Sequence, residues 1–124
     1  MNQRSTFIWA GVLGCLGVMI GAFGAHALKP ALEAAGRLDT FETAVRYQFY
    51  HTFALFGSGL MMYHISNKAL HYAALLFVLG TLIFSGSLYV LCLTGIGFLG
   101  AVTPLGGVLF VAGWITLVAG VVRK

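Results

Sequence analysis

A chain of 124 residues that is 60% hydrophobic and 8% charged, with a net charge of +4, fits one domain but not a water-soluble one, since soluble domains carry about a quarter charged residues. A mean hydropathy of +0.95 makes the bilayer its solvent, where unsatisfied backbone groups are not tolerated and long apolar stretches must be helices or a closed barrel. The seven Lys and Arg stand apart at Arg4, Lys29, Arg37, Arg46, Lys68, Arg123 and Lys124 and form no basic stripe, which sets nucleic acid aside as a partner.

Runs of about 20 apolar residues without dyad alternation select helices over a barrel. The first run, Thr6 to Ala27, follows Arg4 and ends in Ala25-His26-Ala27, an imitation of a signal-peptidase site. It is longer than the roughly 7 to 15 apolar residues of a signal peptide, so a first membrane span is expected over residues 6–27. Ala10, Gly14, Gly17, Gly21 and Gly24 recur along it at spacings of three and four, a ridge that lets another helix approach closely.

Residues 28–39 form an extended polar connection with Lys29, Pro30, Glu33, Arg37 and Asp39. Leu28, Leu32 and Ala35 share a face at helical spacing, which predicts a short interfacial helix stopped by Gly36. Asp39 and Glu42 have capping-box spacing and predict a second span over residues 40–65. At about 26 residues and 1.5 Å each, this helix outreaches a hydrocarbon core of about 30 Å, so its first turns stand at the interface. Ser66-Asn67-Lys68 turns into an antiparallel third span, 69–93, in which Ser85-Gly86-Ser87 offers hydroxyls to its own backbone or to another helix. The stretch from Thr94 to Val102 is a loose connection. Thr103-Pro104 then reads as an N-cap with proline at the first helical position of a fourth span, 104–122. Gly106, Gly113 and Gly120 recur there at intervals of seven, a small-residue seam that favours left-handed crossing near about +20°.

Four spans place both termini on one side. Arg4, Lys68, Arg123 and Lys124 then outnumber Lys29, Arg37 and Arg46, and the positive-inside rule puts both termini in the cytoplasm. Cys15 lies near the middle of the first span and Cys92 near the end of the third. Those depths differ too much for a disulfide, so two buried free thiols are expected.

Polarity is concentrated in the second span, at Glu42, Arg46, Tyr47, Gln48, Tyr50 and His51. Glu42 and Arg46 are four apart and can pair. The plainest reading of the row is anchoring at the interface, with the tyrosines in the aromatic belt. A second is a pocket between the first two spans, built from His26, Arg46, Tyr47, Gln48, Tyr50 and His51, for a lipid headgroup, a quinone or another small ligand. A third is a proton or ion relay. His26 and His51 could ligate a haem or metal if the spans brought them face to face. The further ligands and oriented partners such sites use are not evident, so no metal or cofactor is expected. His64 and His71 flank Lys68 and read as solvated interfacial residues. No hydrolase elbow, Walker loop, HExxH or CxxC occurs, and the three acids all lie between residues 33 and 42, so no catalytic residue is assigned and an enzyme is not expected.

Gly21-Ala-Phe-Gly-Ala-His-Ala-Leu-Lys29, Phe41-Glu-Thr-Ala-Val-Arg-Tyr-Gln-Phe-Tyr-His51, Phe84-Ser-Gly-Ser-Leu-Tyr89 and Thr103-Pro-Leu-Gly-Gly107 together resemble the motifs of one small membrane family. This is domain of unknown function 423, which includes bacterial YgdD and YwdK and the animal transmembrane protein 256. The resemblance covers nearly the whole chain and implies a four-helix protein of the bacterial inner membrane; it brings no activity and no catalytic residue. The expected fold is all-α, a single transmembrane domain over residues 1–124 forming an integral membrane four-helix bundle with a short interfacial helix between its first two spans. The expected role is non-enzymatic, supporting membrane or envelope integrity or serving as an accessory subunit. Membrane lipids and a homo-oligomer or larger membrane complex are the expected partners. The alternative is a small transporter or a lipid- or quinone-binding protein that uses the polar pocket.

Overall fold

The computed structural model describes residues 1–123, and among them the regular elements are helices: α1 (Gln3–His26), α2 (Lys29–Ala34), α3 (Leu38–Met61), α4 (Lys68–Thr94) and α5 (Leu99–Val122). Lys124, one of the charges that bear on orientation, lies outside the described residues. Helices α1, α4 and α5 are long and apolar enough to cross a membrane. With 24 residues, α3 has the length, about 36 Å at 1.5 Å per residue, but Asp39, Glu42, Arg46, Gln48 and His51 leave it short of the same apolarity. Among the described residues there are three such apolar helices in place of four, with one helix of matching length and greater polarity.

Helix boundaries follow local chemistry, and in two places that chemistry differs from the expected signals. Asn2 accepts a hydrogen bond from the Ser5 amide (2.8 Å) and so starts α1 early. Pro30 sits in the first turn of α2, where a missing N–H costs nothing. The capping box expected at Asp39 does not form: α3 opens at Leu38 with Arg37 at the N-cap and no side-chain cap. The cause lies upstream. The chain leaves α2 through Gly36 at φ 69° while the Arg37 amide closes back on the Leu32 carbonyl (2.8 Å), so the next helix has begun before Asp39 is reached. Thr103-Pro104 does not start the last helix either, since α5 begins at Leu99 and contains Pro104. A proline this near the start forfeits one bond, to the Gly100 carbonyl. Instead of capping, the Thr103 hydroxyl oxygen lies 3.3 Å from the Leu99 carbonyl and shares a hydrogen bond of 2.6 Å with the Ser87 hydroxyl.

Helices α1, α3, α4 and α5 each pack on the next in that order, α2 folds over the α1–α3 end, and α1 touches α4 only sparingly. The Gln3 amide donates to the Gly59 carbonyl (3.0 Å) and the Asn67 amide to the Gly120 carbonyl (3.3 Å). These bonds gather both chain ends and the α3–α4 turn at one end of the molecule. The core runs through Ala10 and Leu13 of α1, Ala54 and Leu55 of α3, and Ala73, Ala74, Phe77 and Val78 of α4. The most polar long helix is thus an inner one. Helix α3 buries Gln48, His51, Thr52 and Ser58, whereas α1 and α5 turn Ile8, Val18, Val108 and Ile115 outward. A lipid solvent selects this arrangement, because apolar side chains gain little by leaving it while polar ones need partners inside the protein.

Both glycine rows face a neighbouring helix. A Cβ on Gly17 would lie 2.9 Å from the Phe49 ring, one on Gly21 3.3 Å from Val45 and one on Gly24 2.1 Å from Phe41, so the α1 ridge meets α3; Gly14 has more room, with Thr52 at 3.4 Å. On α5, Gly106, Gly113 and Gly120 face Phe84, Phe77 and Ala69 of α4 at 2.5, 2.8 and 3.2 Å. Because the α1 ridge takes the inner face, Cys15 lies outside and is exposed, which corrects the expectation of two buried thiols. Cys92 is partly buried near the Arg37 carbonyl. At the far end of α4, Gly95 caps the helix at φ 72°, a left-handed conformation that a Cβ disfavours. We expect Gly95→Ala to cost about 1 kcal/mol in detergent unfolding, with Gly97→Ala as the near-neutral comparison.

Candidate functional site

Gln48 stands where α1, α3 and α4 meet, and only 3% of its surface is exposed. Its Nε2 donates to the Leu13 carbonyl of α1 (2.7 Å), and its Oε1 accepts from the Tyr89 hydroxyl of α4 (2.6 Å). Gly17 leaves the space for this amide, since a Cβ there would lie 3.3 Å from Nε2. One turn along, Thr52 returns its hydroxyl to the Gln48 carbonyl (2.7 Å), and Ser85 of α4 donates to the Ala44 carbonyl (2.7 Å). Polar ties of this kind hold helices together where hydrophobic attraction between them is weak.

His51 serves a different neighbour. Its ring stacks on Phe110 of α5 with centroids 3.5 Å apart and planes 6° from parallel, between Phe77 and Tyr47. Its Nδ1 bonds the Tyr47 carbonyl (2.8 Å), and its Nε2 receives the Trp114 indole N–H (3.1 Å). A carbonyl only accepts and an indole N–H only donates, so one form satisfies both contacts: the neutral imidazole with its proton on Nδ1. A second proton would set two donors face to face at Nε2.

Glu42 and Arg46 occupy the entrance of α3, with a single Oε2–Nη2 contact of 3.3 Å between half-exposed side chains. With Lys29 they rim a cleft of about 410 Å³ between the end of α1, α2 and the start of α3, walled by Gly21, Gly24 and Phe41. Tyr47 packs on Phe84 (centroids 4.7 Å apart) and edge-on to Tyr50 (5.5 Å), which is itself turned outward.

The six residues expected to share one pocket therefore divide among several places. Gln48 points toward α1 and α4, His51 toward α5, and Tyr47 toward Phe84 of α4 with Phe110 of α5 beyond it. Arg46 rims the cleft, Tyr50 faces out, and His26 is exposed at the end of α1. Because Gly14 lies opposite Thr52 and the helices are antiparallel, His26 stands roughly 16 Å further along the α1 axis than His51. Gln48 and His51 are about 60° apart around α3, enough to give them different neighbours. Among the described residues no buried side-chain polar atom lacks a partner, and no group of three His, Cys, Asp or Glu is placed to hold a metal. Sequence reasoning missed Tyr89 and Trp114 as partners. Trp114 did carry a signal, since an indole N–H deep in an apolar span needs an acceptor.

The family model described as a protein of unknown function (DUF423) matches residues 20–107, a stretch that includes part of the α1 ridge, the entrance cleft, the polar row and the start of the α5 seam. The UPF0382 inner membrane protein YgdD of Escherichia coli is 37% identical over 99% of this chain and 93% of its own length. A UPF0382 membrane protein of Staphylococcus saprophyticus is 45% identical over 88% of this chain and 92% of its own. Another from Staphylococcus haemolyticus is 44% identical over 86% and 89%. No solved structure matches the chain. With a family model across most of its length and relatives aligned nearly end to end, this all-helical membrane protein belongs to the DUF423 family.

Proposed function

We propose that this protein is a non-enzymatic inner-membrane protein whose α3 crosses the bilayer sheltered by α1, α4 and α5, completing a four-helix transmembrane bundle with both termini in the cytoplasm. Its role is to support membrane or envelope integrity, alone or as an accessory subunit of a homo-oligomer or larger membrane complex. The observation that carries this reading is the use made of the inward polar groups. Gln48 is spent on Leu13 and Tyr89, His51 on Trp114 and Ser85 on Ala44, which makes them ties between helices. Orientation draws its support from the sequence count of cations: Arg4, Lys68, Arg123 and Lys124 belong to the side of the termini and Lys29, Arg37 and Arg46 to the other, a margin of one.

Membrane-impermeant maleimide labelling in cells tests the topology, using single-cysteine variants on a Cys15→Ser, Cys92→Ser background. Asp39→Cys is expected to react from outside, and Ser66→Cys only after permeabilisation. Reaction of both from one side would remove α3 as a span, and the reverse pattern would overturn the orientation. For the role, a deletion strain is scored for detergent sensitivity and complemented with variants. His51→Phe that folds like wild type is expected to complement. Loss of complementation by that stable variant would show that the imidazole does chemistry and overturn the non-enzymatic reading.

A further inference from the structure

We infer that the cleft where α1, α2 and α3 meet holds the headgroup of an amine-bearing phospholipid, with the phosphate on Arg46 and Lys29 and the ammonium on Glu42. Depth comes first. Helix α1 has 24 residues, about 36 Å at 1.5 Å per residue, and overruns a hydrocarbon core of about 30 Å. The cleft lies along its last turns, at Gly21, Gly24 and Ala25, which sets the opening at headgroup level and the walls below it among acyl chains. The base of the cleft is closed, because Phe41 and Val45 of α3 fill the space that Gly24 and Gly21 leave, so the headgroup is held at the opening and its acyl chains stay in the surrounding bilayer.

The rim then selects the headgroup. Two cations and one carboxylate border the same opening. Arg46 makes one contact with Glu42 at 3.3 Å, and Lys29 reaches Glu33 only loosely at 3.9 Å, all four side chains being about half exposed. A guanidinium bound at one corner keeps N–H groups for phosphate oxygens. An anionic headgroup without an amine would satisfy the cations and leave Glu42 repelled. A quaternary ammonium has no N–H to give a carboxylate and is held best by open aromatic faces, whereas Phe41 is 3% exposed. A phosphate joined to a primary ammonium matches all three charges. This inference needs only α1 as a span, so it stands or falls separately from the labelling result for α3.

The test is lipid retention by the purified full-length protein, released from detergent and weighed by native mass spectrometry after titration with phosphatidylethanolamine, phosphatidylglycerol or phosphatidylcholine. One phosphatidylethanolamine is expected to be retained roughly twofold to fivefold more strongly than either alternative, the range open to half-exposed charge pairs. Glu42→Gln is expected to abolish the preference over phosphatidylglycerol, and Arg46→Ala to weaken retention of both. Arg4→Ala, at the other end, is expected to leave retention unchanged. Equal retention of the three lipids by the wild-type protein, a preference for phosphatidylglycerol, or an ethanolamine preference that survives Glu42→Gln would each overturn the inference.

Discussion

Gly106→Ala is expected to destabilise the protein by about 1 to 3 kcal/mol, although it adds a single methyl group to a helix. The new Cβ would lie 2.5 Å from the backbone nitrogen of Phe84, 2.7 Å from its Cβ and 2.8 Å from its Cα. Backbone atoms of a packed helix cannot step aside as the end of a side chain can, so α4 and α5 must separate. The opposing surface has no slack, because a Cβ on Gly80 would meet Phe110 at 2.6 Å and the Gly106 carbonyl at 3.2 Å. Gly24→Ala makes the instructive contrast: its Cβ would come nearer still, 2.1 Å, but to the edge of the Phe41 ring. That ring can rotate, so a smaller loss is expected. Gly57 and Gly86 have nothing within 4 Å, and alanine there should be neutral or mildly favourable through helix propensity. Unfolding of the four variants in detergent checks the order. A Gly106→Ala protein as stable as wild type would show that α4 and α5 are not in backbone contact at the seam.

The glycine rows were legible as seams because spacing alone fixes which residues share a helix face. Their partners were not legible: nothing in Gly17, Gly21 and Gly24 says that Phe49, Val45 and Phe41 fill the gaps they leave. Boundaries went astray where a correct local rule met a stronger one nearby. Asp39 has good capping chemistry, but the left-handed Gly36 and the Arg37 amide ending α2 place the start of α3 first. Thr103-Pro104 has the composition of a helix start, yet Leu99 to Val102 are equally content in a helix and the lost bond at Pro104 is a single one. The polar row shows the limit most plainly. Sequence placed Gln48 and His51 in the polar row of the second span, but their partners Tyr89 and Trp114 stand 41 and 63 positions away. A 60° turn around one helix sends the two side chains to different neighbours.

Gln48→Leu carries the second large expected effect. The substitution roughly keeps the volume and removes both halves of the tie. Loss of the bond to the Leu13 carbonyl costs little by itself, because that oxygen also serves the α1 helix ladder. Tyr89 loses more. Its hydroxyl would be stranded where water is scarce, beside an apolar groove between α1 and α4 lined by Leu16, Phe23 and Leu93, and an unsatisfied buried donor costs about 1 to 3 kcal/mol. Tyr89→Phe leaves only one lone pair of Gln48 unused, so it should cost less than Gln48→Leu. In the double variant no donor is stranded, so the two losses should not add. Interhelical hydrogen bonds in membranes average about 0.6 kcal/mol and reach about 1.7 in such cycles, and the coupling is expected within that range. Detergent unfolding of wild type, both single variants and the double variant measures it. Strict additivity would mean that Gln48 and Tyr89 contribute separately, and the bond between them would then add nothing to the hold of α3 on α4. Coupling in the expected range would place part of the hold between α3 and α4 in the Gln48–Tyr89 bond, and because α1 and α4 touch so little, the same amide's bond to Leu13 links α1 to that pair through α3.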